Sequence, residues 1–389
     1  MAEANFIPLS VPNFAGRERE YVDAAVVSEW VSSGGAKVTE FENAIAGYCG
    51  MPRAVAACSG TAGLHLALLC AGVKPGDEVI VPALTFIAAV NPVRYAGAEP
   101  VFLGCDDSLC MDPQLLGQFL EGNTERRGGE VYNKNSGRRI AAVMVVHVFG
   151  NLADMPALCE IAAKYGLPLI EDATEALGSR FEAGPFAGKM AGTMGDAGVY
   201  SFNGNKIITT GAGGMLISNH GDWAQRAKHL STQAKSDELY FLHDEVGYNY
   251  RLSNIPAALG LAQLAQLEGF IGRKKELYER YRDALDGKVG LRLLPFREGT
   301  RPNRWFFSLY LTGAYPLGRD ALLEKLKEAK IQARPIWALI HEQKPYRQNE
   351  AHGLEKAEDY RARIVNLPCS TNLSERDQQR VMETILSQA

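Results

Sequence analysis

A lysine, a pair of carboxylates and a serine–glycine–threonine turn stand where apolar runs give way to polar residues, and each has a definite chemical use. Lys206 ends the segment Ser201-Phe202-Asn203-Gly204-Asn205-Lys206, after the apolar Gly198-Val199-Tyr200 and before Gly211-Ala212-Gly213-Gly214. A lysine taken out of water gives up its proton readily and can bond a carbonyl carbon as a Schiff base. Left in solvent it is a surface cation, the commoner fate of lysine. Glu171-Asp172 close the run Leu167-Pro168-Leu169-Ile170. A carboxylate at the end of a buried strand needs a partner, such as a protonated ring nitrogen; the plainer alternative is a cap on the segment 173–176. Ser59-Gly60-Thr61 precedes the apolar stretch 62–70. Free N–H groups and the dipole at a helix start make an anion site, and glycine lets a phosphate approach the backbone. The same turn also suits an ordinary helix cap.

These groups can meet only if the elements between them bring the strand ends together. Up to about residue 220, strand-like runs (55–58, 78–81, 100–103, 141–148, 167–170) alternate with helical patterns (62–70, 86–95, 155–165). Such alternation implies crossover connections and a mainly parallel sheet, so the fold class is α/β. Runs such as Ala141-Ala142-Val143-Met144-Val145-Val146 fit strands covered on both faces. Ligands of such sheets sit at the carboxyl ends of the strands, where the three groups fall. The polar stretch 122–139 reads as a surface excursion built as a small hairpin. A long helical pattern over 256–285 reads as a connecting helix. Smaller alternation follows, with a strand at 305–311 and helices at 319–329 and 374–386. The expected division is a large domain over 1–255 and a connecting helix with a small α+β domain over 256–389.

Composition narrows the partners. The 389 residues carry 41 Lys plus Arg against 45 Asp plus Glu, a net charge of −4, with 46% hydrophobic and 22% charged residues. That is ordinary globular composition with no general attraction to nucleic acid or anionic lipid. No apolar stretch is long enough to span a membrane. Met1-Ala2-Glu3-Ala4-Asn5 lacks the basic and apolar regions of a signal peptide. Seven scattered cysteines without a C-x-x-C pair indicate neither a disulfide framework nor a metal site, so a cytoplasmic location is expected. The first strand-to-helix turn, Ser59-Gly60-Thr61-Ala62-Gly63, lacks the G-x-G-x-x-G of a dinucleotide-binding dehydrogenase.

Taken together, an anion nest, a carboxylate for a ring nitrogen and an amine for an aldehyde are the three handles that pyridoxal 5'-phosphate (PLP) needs. The chain resembles the sugar aminotransferase family of fold-type I PLP-dependent transferases, whose members aminate nucleotide-linked keto-sugars. The resemblance extends from Trp30-Val31-Ser32-Ser33-Gly34 to Asn366-Leu367-Pro368. It is carried by Ser59-Gly60-Thr61-Ala62, Glu171-Asp172-Ala173-Thr174-Glu175-Ala176, Ser201-Phe202-Asn203-Gly204-Asn205-Lys206 and Gly247-Tyr248-Asn249-Tyr250-Arg251.

The resemblance implies roles. Lys206 bonds the cofactor aldehyde and later moves the proton, Asp172 holds the pyridine nitrogen, and Phe86 stacks on the ring. Ser59, Gly60, Thr61 and Ser201 hold the phosphate. Asn249 reaches it from a neighbouring subunit, so a homodimer with shared active sites is implied. Glu175 lies near the cofactor hydroxyl where many relatives have Gln, and Ala212 stands where many carry Glu, so Ala212 receives no role. Lysine at 206, where the dehydrating branch has histidine, argues for amino transfer, and its retention with Asp172 argues against an inactive scaffold. The Asn-Gly-Asn-Lys loop, His147-Val148-Phe149-Gly150-Asn151 and the excursion ending Arg138-Arg139 resemble one subgroup. Its members aminate C4 of a UDP-linked 2-acetamido-4-keto-2,6-dideoxyhexose, usually with L-glutamate as donor. Candidates for the nucleotide-sugar or the donor carboxylate are Trp30, Ser32, His147, Arg251, Arg334 and Trp337.

Overall fold

In the computed structural model, residues 5–388 are described; residues 1–4, part of the start read above for a leader, lie outside them, as does 389. Seven apolar segments form most of one sheet: β1 (Ala54–Ala57), β2 (Glu78–Pro82), β3 (Glu99–Leu103), β4 (Ile140–Val146), β5 (Leu169–Asp172), β6 (Ala197–Ser201) and β7 (Gly214–Ser218). Their spatial order is β1-β7-β6-β5-β4-β2-β3, with the short strand Ala351–His352 added beside β3. Only β7 runs antiparallel to its neighbours β1 and β6; the other pairs are parallel. Every residue of β4 is buried, as a strand covered on both faces requires.

Behind β1 comes α1 (Gly60–Cys70), whose N-cap Ser59 accepts a hydrogen bond from the Ala62 N–H at 3.1 Å. Leu64, Leu66 and Leu68 of α1 are fully buried, each contributing roughly 1.5–3 kcal/mol of apolar burial. A Cβ on Gly63 would come within 2.7 Å of Val199 Cγ1, so glycine there lets the helix lie directly on β6.

Several expectations need correction. The helix expected over 86–95 is a turn of 3-10 helix, Ile87–Ala89, followed by the short Asn91–Tyr95; Pro92 fits a first turn but not a continuing helix. The single connecting helix is two, α2 (Asn254–Leu264) and α3 (Leu267–Leu285), interrupted at Ala265-Gln266. The strand ending in Ile170 continues through Glu171 and Asp172. The excursion is a hairpin, Thr124–Arg127 paired with Glu130–Asn133. It lies at the amino ends of the strands, where Asn133 Nδ2 donates to Glu78 at 2.9 Å and Arg139 pairs with Asp77 at 2.6 Å. A second, four-stranded antiparallel sheet follows α3, made of Leu291–Leu293, Phe307–Leu311, Arg334–Pro335 and Ile364–Leu367. No helix among the described residues is long and apolar enough to cross a membrane, and all seven cysteines are free thiols.

Candidate active site

The carboxyl ends of β1, β2, β5 and β6 open into one cavity of about 360 Å³. Its walls carry Ser59, Gly60, Thr61, Phe86, Asp172, Glu175, Ser201 and Lys206, eight groups proposed from the sequence. One wall is the start of α1. Ser59 Oγ is occupied as the cap, while the N–H groups of Gly60 and Thr61 precede the first that can bond within the helix. Gly60 is required by close approach: a Cβ there would lie 2.9 Å from Thr174 Cγ2 and 3.0 Å from Ser201 Cβ. Cap and anion site thus coexist, because the cap uses a side chain and leaves two backbone donors free.

Asp172 lies at the floor, almost fully buried. Its Oδ1 accepts the Thr174 N–H at 3.0 Å, and burial raises its pKa above the usual carboxylate value. Glu175 is also buried; its Oε2 accepts the Phe149 N–H at 2.8 Å, and burial pushes its pKa up to about 7. Lys206 Nζ is 3.8 Å from Glu175 Oε1. Burial lowers its pKa, opposed by the negative charge of Glu175 and Asp172. A buried amine with a weakened hold on its proton is the form that attacks a carbonyl carbon. Phe86, 51% exposed, and Trp337 face each other across the mouth at 6.2 Å.

The profile of the DegT/DnrJ/EryC1/StrS aminotransferase family matches residues 12–386. The chain belongs to that family. It is 37% identical to EpsN of Bacillus subtilis (strain 168) over 98% of this chain and 95% of that protein. It is 36% identical to the GDP-perosamine synthase of Escherichia coli O157:H7 over 98% of both. Among solved structures, DesI in the presence of its TDP-sugar product superposes with a TM-score of 0.86 at 30% identity, covering 98% of this chain and 93% of DesI. The protein is accordingly a PLP-dependent enzyme of the transaminase type, acting on nucleotide-linked sugars.

The cavity fits that cofactor. Two helix-start N–H groups and Ser201 could hold a phosphate, a buried carboxylate could meet a ring nitrogen, and one amine lines the same cavity.

The remaining sequence candidates fall elsewhere. His147 is not at the cavity: it is fully buried, its Nδ1 accepts the Ala153 N–H at 3.2 Å, and its Nε2 lies 2.8 Å from Glu171 Oε2. With Nδ1 accepting, the proton sits on Nε2 and points at Glu171. That glutamate also takes the N–H groups of Gly192, Met194 and Gly195, which makes it the structural member of the carboxylate pair. Arg251 is bound to Glu42 at 2.6 Å and to the Ala56 carbonyl at 3.0 Å, and lines no part of this cavity. Trp30, Ser32 and Arg334 are exposed outside its walls, whereas Trp337 lines them. Asn249 is exposed and outside the cavity of its own chain.

The sequence reading gave no individual role to Thr85, Thr174, Asn203, Asn205, Trp305 or Phe306, all of which stand in the walls. The two asparagines were legible as neighbours of Lys206; Trp305 and Phe306 lie just before the strand Phe307–Leu311, far downstream in the chain.

Glu175 provides a test free of turnover. Its folded pKa, about 7, lies above its ordinary value of 4.5, so the folded apoprotein binds more protons than the unfolded chain between those values. Stability is then highest below about pH 4.5 on this account and is lost as pH rises through about 7. In Glu175→Gln this loss disappears while the amide oxygen still accepts from Phe149. The apo variant is expected to exceed the wild type at pH 8 by on the order of 1–3 kcal/mol, with little gain at pH 5, in urea unfolding.

Proposed function

We propose that this aminotransferase moves an amino group from L-glutamate to the C4 keto group of a UDP-linked 2-acetamido-4-keto-2,6-dideoxyhexose, in bacterial surface-glycan or glycoprotein sugar synthesis. Lys206 is the amine that bonds the PLP aldehyde and carries the proton, and Asp172 is the partner of the ring nitrogen. Gly60, Thr61, Ser59 and Ser201 take the phosphate, Phe86 covers the ring, and Glu175 lies beside the reacting end. The observation that carries the sugar assignment is the Asn203-Gly204-Asn205-Lys206 loop, whose two asparagines line the cavity beside Lys206. The same loop resembles the subgroup that aminates this substrate.

A second reading is favoured by a specific finding: three GDP-perosamine synthases are 34–36% identical over 93–99% of this chain, which points to a GDP-linked keto-sugar. Half-reaction spectroscopy separates the two. L-glutamate should convert the bound cofactor to its amine form, and the UDP-linked keto-sugar should return the aldehyde absorbance. Return only with a GDP-linked sugar would sink the first assignment.

We further infer a homodimer: Asn249 is exposed and lines no wall of its own chain's cavity, and the resemblance gives it the phosphate of a second copy. Mixed dimers of Lys206→Ala and Asn249→Ala chains should regain about a quarter to a half of wild-type turnover, one site in two being intact. No recovery in verified mixed dimers counts against shared sites.

A further inference from the structure

Trp305 surrounds Lys206 more closely than any motif suggests. The Lys206 Nζ lies 3.9 Å from the centroid of its indole, within cation–π distance. Trp305 is 4% exposed, and each of its polar atoms is bonded. Its Nε1–H donates at 2.6 Å to the carbonyl of Asn205, the residue immediately before Lys206. Its backbone N–H donates to Asn303 Oδ1 at 2.9 Å. Its carbonyl accepts from Lys274 Nζ at 2.9 Å and from Cys369 Sγ at 3.3 Å. Phe306 stacks against the ring at 4.0 Å and 13°. Arg304, next in the chain, has a left-handed φ of 54°, unusual for a non-glycine residue and tolerated only where the surroundings enforce it. The buried Lys274 amine that holds this carbonyl also meets Cys369 and lies 5.5 Å from the centroid of the Phe307 ring, so the segment is fixed on that side as well.

We propose that Trp305 is a positioning residue for amino transfer: its indole face receives the Lys206 amine whenever that amine is free, and holds it beside the reacting centre. The inference rests on Lys206 being the amine that engages PLP. In each turnover that side chain must be released from the cofactor and return to it. A lysine has four flexible bonds and would otherwise explore the cavity. The ring and the Asn205 bond fix both ends of its reach, since one indole touches the amine and also clamps the backbone beside it. The charged groups facing the amine are Asp172, the last residue of β5, and Glu175, from the segment that follows it. From the 303–306 segment the facing group is the Trp305 ring, and Lys274 meets that segment at the Trp305 carbonyl.

The test reads the free amine directly. In cofactor-free protein, the pH dependence of acylation at Lys206, located by mass spectrometry, gives its pKa. A π face favours the ammonium, so Trp305→Leu should lower that pKa by about one unit and Trp305→Phe by about half as much. In the holoenzyme, Trp305→Leu should reduce kcat for the L-glutamate half-reaction about tenfold with KM unchanged, and Trp305→Phe should restore part of the loss. Biosynthetic incorporation of mono- and difluorotryptophan keeps the shape and weakens the π face, so the pKa should fall stepwise even if Trp305→Leu fails to fold. An unchanged Lys206 pKa across the fluorinated series, or a Phe variant as impaired as Leu, overturns the proposal. Failure of the underlying reading looks different: Lys206→Ala would then still be yellow after dialysis, and borohydride would bleach it while fixing the cofactor covalently to another lysine.

Discussion

Lys206→Ala is expected to lower amino transfer by at least about 10⁴-fold while the chain stays folded. The loss combines covalent attachment with proton transfer, each a large contribution on its own. Lys206 is the only lysine among the described residues lining the cavity, and the other buried one, Lys274, is held by the Trp305 carbonyl, so no substitute amine is at hand. Removing the amine takes away a buried group whose pKa burial already lowers. The lost positive charge leaves Glu175 and Asp172 without their counter-ion, and both then hold protons to higher pH than before. Because each can neutralise itself, no unpaired buried charge is forced on the fold. The checks are circular dichroism and a thermal melt for the fold, and single-turnover spectroscopy with L-glutamate for the chemistry. Undiminished turnover in the folded variant would remove Lys206 from the reaction.

The strand ends were legible because the parallel strands of an α/β sheet send their carboxyl ends to one side. A short polar sequence after each apolar run therefore marks a common site, as Ser59-Gly60-Thr61, Asp172 and Ser201–Lys206 show. What could not be read was which polar residue at such an end is already satisfied. His147 also follows a strand, yet its ring is consumed by Glu171, 24 residues away, and by a local N–H. Arg251 is neutralised by Glu42, 209 residues earlier in the chain. Such pairings depend on tertiary approach, and no local spacing encodes them. The same limit hid Trp305, whose bond to Asn205 spans 100 residues. Helix boundaries were lost for a different reason. The apolar pattern of 256–285 continues through the break at Ala265-Gln266, because each of the two helices buries an apolar stripe of its own and period alone does not register a two-residue interruption.

For Asp172→Asn, stability and activity are expected to move in opposite directions. Asp172 is buried and its pKa is raised above 3.8, chiefly by desolvation of the charged form. In the apoprotein this group favours the fold at low pH, and that contribution is lost as pH rises from about 3.8 through the folded pKa. At neutral pH, where the unfolded chain carries Asp172 ionised, its burial therefore opposes folding. Asparagine removes the charge and keeps an amide oxygen for the Thr174 N–H, now at 3.0 Å from Oδ1. Apo Asp172→Asn should thus be more stable than apo wild type at pH 7, by on the order of 1 kcal/mol in urea unfolding. With PLP present the order should reverse, because the charge disfavoured in the empty cavity is the one that a protonated ring nitrogen compensates. Turnover should fall by about 10³-fold, as several kcal/mol of electrostatic stabilisation at the reacting centre is withdrawn. A carboxylate kept for structure would give the opposite pattern, with the apo variant destabilised and turnover nearly intact. The two unfolding curves, with and without cofactor, therefore decide whether Asp172 serves the fold or the chemistry.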